Sequence, residues 1–232
     1  MNLIRKGHRH NHRGVVGIES AIVLIAFVIV AAALAFVVLN MGFATSQKAK
    51  TSIVATLGEA GSSLQVSGKV FAWANSTGAI PEIHVIGIPI KIASGGESVN
   101  LNQLFTAVKY VSDSVTYDDI YEGVTPADPS PSSISNGVDQ CLLIPLTILD
   151  DNPITDNPST NTGACIYYTV NLNNNDILDQ GEHAILAIIF GPATDRPVAL
   201  DKVKMELIPP SGATLTVERQ IPNISTAYVD LG

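Results

Sequence analysis

Hydrophobic and polar positions change their rhythm twice along this chain. Ala21 to Leu39 reads AIVLIAFVIVAAALAFVVL, nineteen residues with no charge, proline, glycine or polar side chain. At 1.5 Å per residue such a helix is about 28 Å long, the thickness of a bilayer's hydrocarbon core. Between Asn40 and Leu64 the apolar positions thin to Ile53, Leu57, Ala60, Gly61 and Leu64, spaced by three and four, with Lys48, Lys50 and Glu59 available for other faces. Together the two stretches predict one helix approaching fifty residues, apolar all round at first and amphipathic later. Gly42, Gly58 and Gly61 are soft points in it, costing about 1 kcal/mol each relative to Ala.

From about Val66 the pattern becomes one of short strand-like runs: VSGKVFAWAN, IHVIGIPIKIA, TAVKYVSDSVTYDDIY, CLLIPLTIL, CIYYTVNL, AILAIIF, KVKMELIP, ATLTVERQI and STAYVDL. Turn-rich stretches separate them, notably Ser94-Gly95-Gly96, Thr125 to Asn136 and Asp150 to Gly163. Seven to nine strands without intervening helices predict an antiparallel sandwich of immunoglobulin-like type, so the whole chain reads as α+β, a long apolar N-terminal helix followed by a β-sandwich. Pro126 to Ser133 is too rich in proline for a strand and reads as an exposed loop.

Charge sharpens the division. Arg5, Lys6, Arg9 and Arg13 lie in the first fourteen positions, which contain no Asp or Glu; the rest of the chain holds nine basic against 21 acidic residues. So acidic a body repels nucleic-acid phosphates, which argues against DNA or RNA as a partner. The basic stretch in front of the apolar segment stays on the cytoplasmic side, delivering the body outside.

Three readings of the apolar segment compete. An ordinary secretory signal has an apolar core of about 7 to 15 residues and a small-residue cleavage site. This core is longer, and Asn40-Met41-Gly42 matches such a site poorly. A permanent single-span anchor accounts for the length and flanks but gives no role to Glu19, a carboxylate near lipid that needs a partner. The third reading uses every residue of HRGVVGIESAIVLIAFVIVAAALAFVVLN, in which Gly14 follows a basic residue and Glu19 stands fifth after that glycine.

This segment resembles the class III signal peptide of type IV pilin-like proteins, and within that group it is most similar to archaeal flagellins, or archaellins. Gly14, Gly17, Glu19 and the following SAIVLIAFVIVAAALAFVVLNMG carry the resemblance over about thirty residues; His12 departs from it, since many relatives have a second Lys or Arg there. The resemblance implies that a membrane prepilin-type peptidase cuts between Gly14 and Val15 and that the apolar helix is retained. It thereby implies a leader at 1–14, a filament-core and transmembrane helix at 15–64 and an outer domain at 65–232. It also implies a structural subunit of a swimming filament at the cell surface, held in the membrane before assembly. Its partners are then copies of itself, with or without paralogous subunits, and the envelope's assembly and motor machinery. An adhesive pilin of the same export class and a monomeric anchored ectodomain that keeps its leader are the alternatives.

Cleavage at that bond leaves an α-amine on Val15, with Glu19 one helical turn on. In a bundle, Glu19 of one subunit and the Val15 amine of its neighbour then fix axial register. The alternative role for Glu19 is to favour the positive helix N-terminus, worth about 0.3 to 1 kcal/mol.

Candidate chemistry elsewhere is sparse. Cys141 and Cys165, the chain's two cysteines, lack CxxC spacing; they form either one disulfide, worth about 3 kcal/mol, or two buried thiols. Asn75-Ser76-Thr77 and Asn223-Ile224-Ser225 satisfy the N-glycosylation rule, and the resemblance to surface glycoproteins favours their use. Asn171 to Glu182 places oxygens at Asn171, Asn173, Asn175, Asp179 and Glu182 in a calcium-loop spacing. Asp176 stands where that loop needs glycine, so a polar turn between strands competes with a structural Ca2+. Outside the first fourteen positions only His84, read as part of a strand face, and His183, read as a loop residue, remain, and neither belongs to a triad, metal or phosphate-loop motif. No required cofactor and no enzyme activity are expected.

Overall fold

A computed structural model describes residues 13–61, 64–75, 81–125, 131–145, 148–155 and 159–232. The chain divides into two compact units between Ala55 and Thr56. The first is dominated by α1, Arg13–Gly61, an unbroken helix of 49 residues. It contains no proline, and its polar hydroxyls are partly absorbed by the helix itself: Thr45 Oγ1 donates to the Met41 carbonyl at 2.7 Å and Thr51 Oγ1 to that of Gln47 at 2.8 Å. At Gly17 and Gly42 a Cβ would meet nothing within 4 Å, so neither glycine reflects crowding within this chain.

The second unit is a two-sheet sandwich. Its strands are β1 (Leu64–Val66), β2 (Phe71–Asn75), β3 (Glu82–Ile92), β4 (Val99–Asn100), β5 (Ala107–Ser112), β6 (Thr116–Tyr117) and β7 (Tyr121–Val124), then, after the short helix α2 (Ile134–Cys141), β8 (Gly163–Val170), β9 (Ile177–Leu178), β10 (His183–Ile189), β11 (Lys202–Ile208), β12 (Leu215–Gln220) and β13 (Tyr228–Asp230). The larger sheet runs β13-β2-β3-β10-β8-β7 with β1 also on β3; the smaller runs β12-β11-β5-β6, and β4 pairs with β9. All pairings are antiparallel except β7 with β8.

The larger sheet is buried on both faces, which explains why β3, β8 and β10 read as apolar runs rather than alternations. Alternate residues point opposite ways. Along β10, Ala184, Leu186 and Ile188 enter the main core with Val108 and Tyr110 of β5 and Val203, Met205 and Leu207 of β11. Ala187 and Ile189 enter a second core with Val85, Cys165, Tyr167 and the α2 residues Val138 and Cys141. Tyr110 and Phe190 pack at 5.1 Å between ring centroids in the first.

Helix α2 corrects the expectation of strands without intervening helices. The described residues of CLLIPLTIL form no strand: Cys141 ends α2, the next residues turn, and Ile144 and Leu149 plug the second core. The run is apolar because it covers the outer face of a sheet, not because it joins one. Ser133 starts α2 by accepting the Asn136 N–H at 3.2 Å. Gly137 then lets the helix lie directly on Tyr167, whose ring carbon sits 2.4 Å from where a Cβ would stand. The disulfide between Cys141 and Cys165, with Cα atoms 5.9 Å apart, ties the end of α2 to β8.

Candidate functional site

Every described side chain of α1 from Gly17 to Val54 is exposed, and this segment is long and apolar enough to cross a membrane. Ile22, Val23, Leu24, Phe27, Val28, Ile29, Leu34 and Phe36 stand around all sides of the cylinder. Burying one such side chain is worth roughly 1.5 to 3 kcal/mol. A dozen of them outweigh the roughly 5 to 15 kcal/mol that holds a whole domain folded. The stable state of this helix is therefore one in which other apolar surface covers it, either lipid or similar helices.

Glu19 is exposed on the face that continues through Val23 and Phe27, spaced by four, with Ser20 and Leu24 beside it. It is the one acidic residue at the entrance to the apolar stretch. Gly14 and Val15 lie in the helical backbone of α1, so Val15 and Glu19 fall one turn apart; the side chains of Arg13 to Val16 and all of 1–12 are outside the described residues.

The other sequence-marked residues sit in the sandwich. Asn75 ends β2 and is exposed, with Ser76 and Thr77 outside the described residues; Asn223 is exposed in the segment before β13. The oxygens of 171–182 are occupied locally. Asn171 Oδ1 accepts the N–H groups of Asn173 and Asn174 at 3.3 and 2.9 Å, and Asn175 Oδ1 accepts that of Ile177 at 2.8 Å. Glu182, fully buried, accepts Leu172 N–H at 2.8 Å and Asp179 N–H at 2.9 Å, while Asp179 accepts from Ser98 and Asn173. This is a polar turn between β8 and β9 closing onto β10. Among the described residues no three His, Cys, Asp or Glu side chains converge as metal ligands.

His183 is the first residue of β10 rather than a loop residue, since the β8 pairing extends to it. His84 lies in β3 opposite a bulge and is buried, its ring edge-on to Trp73 at 5.6 Å. Burial, with a smaller push from the Arg196 guanidinium, holds its pKa down to about 4, so the imidazole is neutral at physiological pH. Nearby, Arg196 bonds Glu82 at 3.1 Å and donates to the Gly191 carbonyl. The buried Asp195 accepts from the Tyr117 and Thr162 hydroxyls at 2.7 and 2.6 Å. Sequence reading missed this network because its members are scattered over more than a hundred positions and share no motif.

An archaeal-type flagellin family model matches residues 14–219. The chain belongs to that family. It is 38% identical over 211 residues to probable flagellin 1 of Aeropyrum pernix, covering 90% of this chain and 92% of that one. Probable flagellin 2 of Archaeoglobus fulgidus is 29% identical, with 92% of both chains covered. Among solved structures, the archaeal flagellum of Methanospirillum hungatei matches with a TM-score of 0.57 at 20% identity, covering 92% of this chain and 98% of that one. The crystal structure of an archaeal flagellin from Methanocaldococcus jannaschii matches with a TM-score of 0.56 at 16% identity, covering 73% and 96%. These two show a shared fold. The flagellin is thus a structural, self-assembling filament protein of the cell surface that serves motility, not an enzyme, and it needs no cofactor.

Proposed function

We propose that this flagellin is exported as a membrane-held precursor, cut between Gly14 and Val15 by a prepilin-type peptidase, and polymerised through α1 into the core of a rotating extracellular filament. The observation that carries the reading is the apolar helix, exposed on every described side, joined to a sandwich whose own cores are complete. Lipid covers such a helix before assembly and copies of it cover it afterwards. The family match beginning at Gly14 supports the position of the cut.

In this reading the new Val15 amine of one subunit pairs with Glu19 of a neighbour inside the bundle and fixes axial register. Loss of one partner from such a buried pair costs roughly 3 to 5 kcal/mol. The sandwiches form the outer shell, where the exposed Asn75 and Asn223 are available to glycosylation. Torque comes from a separate envelope motor that the filament engages through its assembly machinery.

Intact-mass and N-terminal analysis of native filaments tests this. The expected chain begins at Val15 and carries added glycan mass at Asn75 or Asn223. A mature chain beginning at Met1 overturns both the cut and the register pair.

A further inference from the structure

Two features of the sandwich have no role within the subunit. The first is Leu200. Among the described residues, only Asn174 and Leu200 are non-glycines with positive φ, at 54° and 75°. Asn tolerates the left-handed region because its short polar side chain bonds locally, whereas a bulky leucine is disfavoured there. Leu200 is nevertheless 71% exposed, so no packing within the chain repays the strain. Its turn is also rigid. Leu200 N–H donates to the Ile221 carbonyl at 2.8 Å and its carbonyl accepts from Gln220 Nε2 at 3.1 Å. Asp201 closes the turn by accepting Val198 N–H at 2.9 Å.

The second feature is an open pocket of about 190 Å³ on the α2 side of the larger sheet, walled by Pro131, Ile134, Tyr167 and Ile185, with the hydroxyl residues Ser132, Ser133 and Thr169 completing its lining and no charged residue among them. Its volume exceeds the roughly 150 Å³ that accommodates a benzene-sized guest, so it has room for a leucine side chain entering from outside between Ile134, Tyr167 and Ile185.

Knob and pocket lie toward opposite ends of the sandwich. Ile83 N–H bonds the Pro197 carbonyl, and Glu82 bridges Val198, which places the Leu200 turn at the start of β3, beside the end of β10. Ile185 and its partner Tyr167 stand near the start of β10. A protrusion and a complementary pocket on different patches of one molecule make a heterologous, head-to-tail contact, which propagates as an open filament when its rotation does not close a ring.

We infer that Leu200 is a subunit-to-subunit knob that enters the Ile134–Tyr167–Ile185 pocket of the next copy of this chain, stacking sandwiches end to end along the filament. The inference rests on the filament reading above. It explains why leucine stands where asparagine or glycine folds better: strain held in the subunit is a feature of sites where the side chain's placement matters more than stability.

Full-length Leu200→Asn, expressed in place of the natural chain, tests it. Asparagine suits the left-handed turn, so detergent-solubilised subunits should unfold at the same or a higher temperature. The filaments should release about tenfold more free subunit on mild heating, as expected when a central apolar anchor is lost from a contact. Because both native cysteines are paired, the double variant Leu200→Cys with Ser132→Cys should also yield a ladder of disulfide-linked multimers on oxidation, and each single variant none beyond a dimer. Leu200→Asn filaments as stable as the natural ones, or double-variant filaments that stay monomeric on a non-reducing gel, overturn the knob. Absence of filaments from the natural chain would instead overturn the filament reading itself.

Discussion

The helix and the sandwich of this flagellin bury apolar surface in opposite ways. The sandwich satisfies its own strands: β3, β8 and β10 are covered on one face by the smaller sheet and on the other by α2. The helix satisfies its backbone and leaves its side chains bare, from Ile18 at 64% exposure to Phe43 at 68%. One unit is stable as a folded domain, and the other becomes stable only in company. The difference teaches where to look for assembly energy, and it predicts that substitutions in the two units fail by different routes.

The largest effect belongs to Glu19→Ala. Assembly should fall below detection while cleavage after Gly14 and the fold of the sandwich are unchanged, because 3 to 5 kcal/mol per subunit contact is lost at every step of growth. Electron microscopy of the cell surface, with a gel assay for processing, reads both. Normal filaments from this variant would remove the register role and leave only the weaker helix-terminus effect.

Next comes the disulfide. Replacing Cys141 and Cys165 together with Ala should lower the stability of the sandwich by about 3 kcal/mol, measured by chemical denaturation of detergent-solubilised full chain. α1 should remain helical, since nothing in that unit depends on the bridge. Loss of helix signal in step with the sandwich would break the comparison.

A smaller effect follows pH. The neutral, buried His84 has a folded pKa of about 4 against an ordinary 6.5, so the unfolded chain binds the extra proton between those values. Stability is thus complete above about pH 6.5 and falls as pH drops toward 4, by up to about 3 kcal/mol. His84→Phe should flatten that part of the thermal-stability profile. An unchanged slope would assign it to the carboxylates instead.

The helix was legible in sequence because periodicity, length and charge all act locally: Arg13 before it, nineteen unbroken apolar residues, Glu19 at its mouth. The sandwich was legible as a class, since β3, β10 and β11 stand where their runs predict. What escaped depended on tertiary context. CLLIPLTIL has the composition of a strand, but Ser133 starts a helix ahead of it, Gly137 allows that helix onto Tyr167, and the disulfide fixes its end. Leu200 carries no sequence signal at all, because a backbone dihedral, not a residue type, makes it unusual.

The smallest effect is expected at the loop 171–182. Its spacing suggests calcium, yet Asn171, Asn175, Asp179 and Glu182 direct their oxygens to neighbouring N–H and O–H groups. Glu182 is the clearest case: fully buried, it accepts from the backbone on both sides of the turn, which compensates its charge without a cation. Millimolar calcium or a chelator should therefore move the unfolding temperature of the full chain by less than about 2 °C, the scale of a change of about 0.5 kcal/mol in a domain of this size. Glu182→Gln should cost more than either, because one oxygen of the pair becomes a donor facing an N–H. A calcium-dependent rise in stability that Glu182→Gln abolishes would instead make this turn a cation site, and the sandwich would no longer be the self-sufficient half of the molecule.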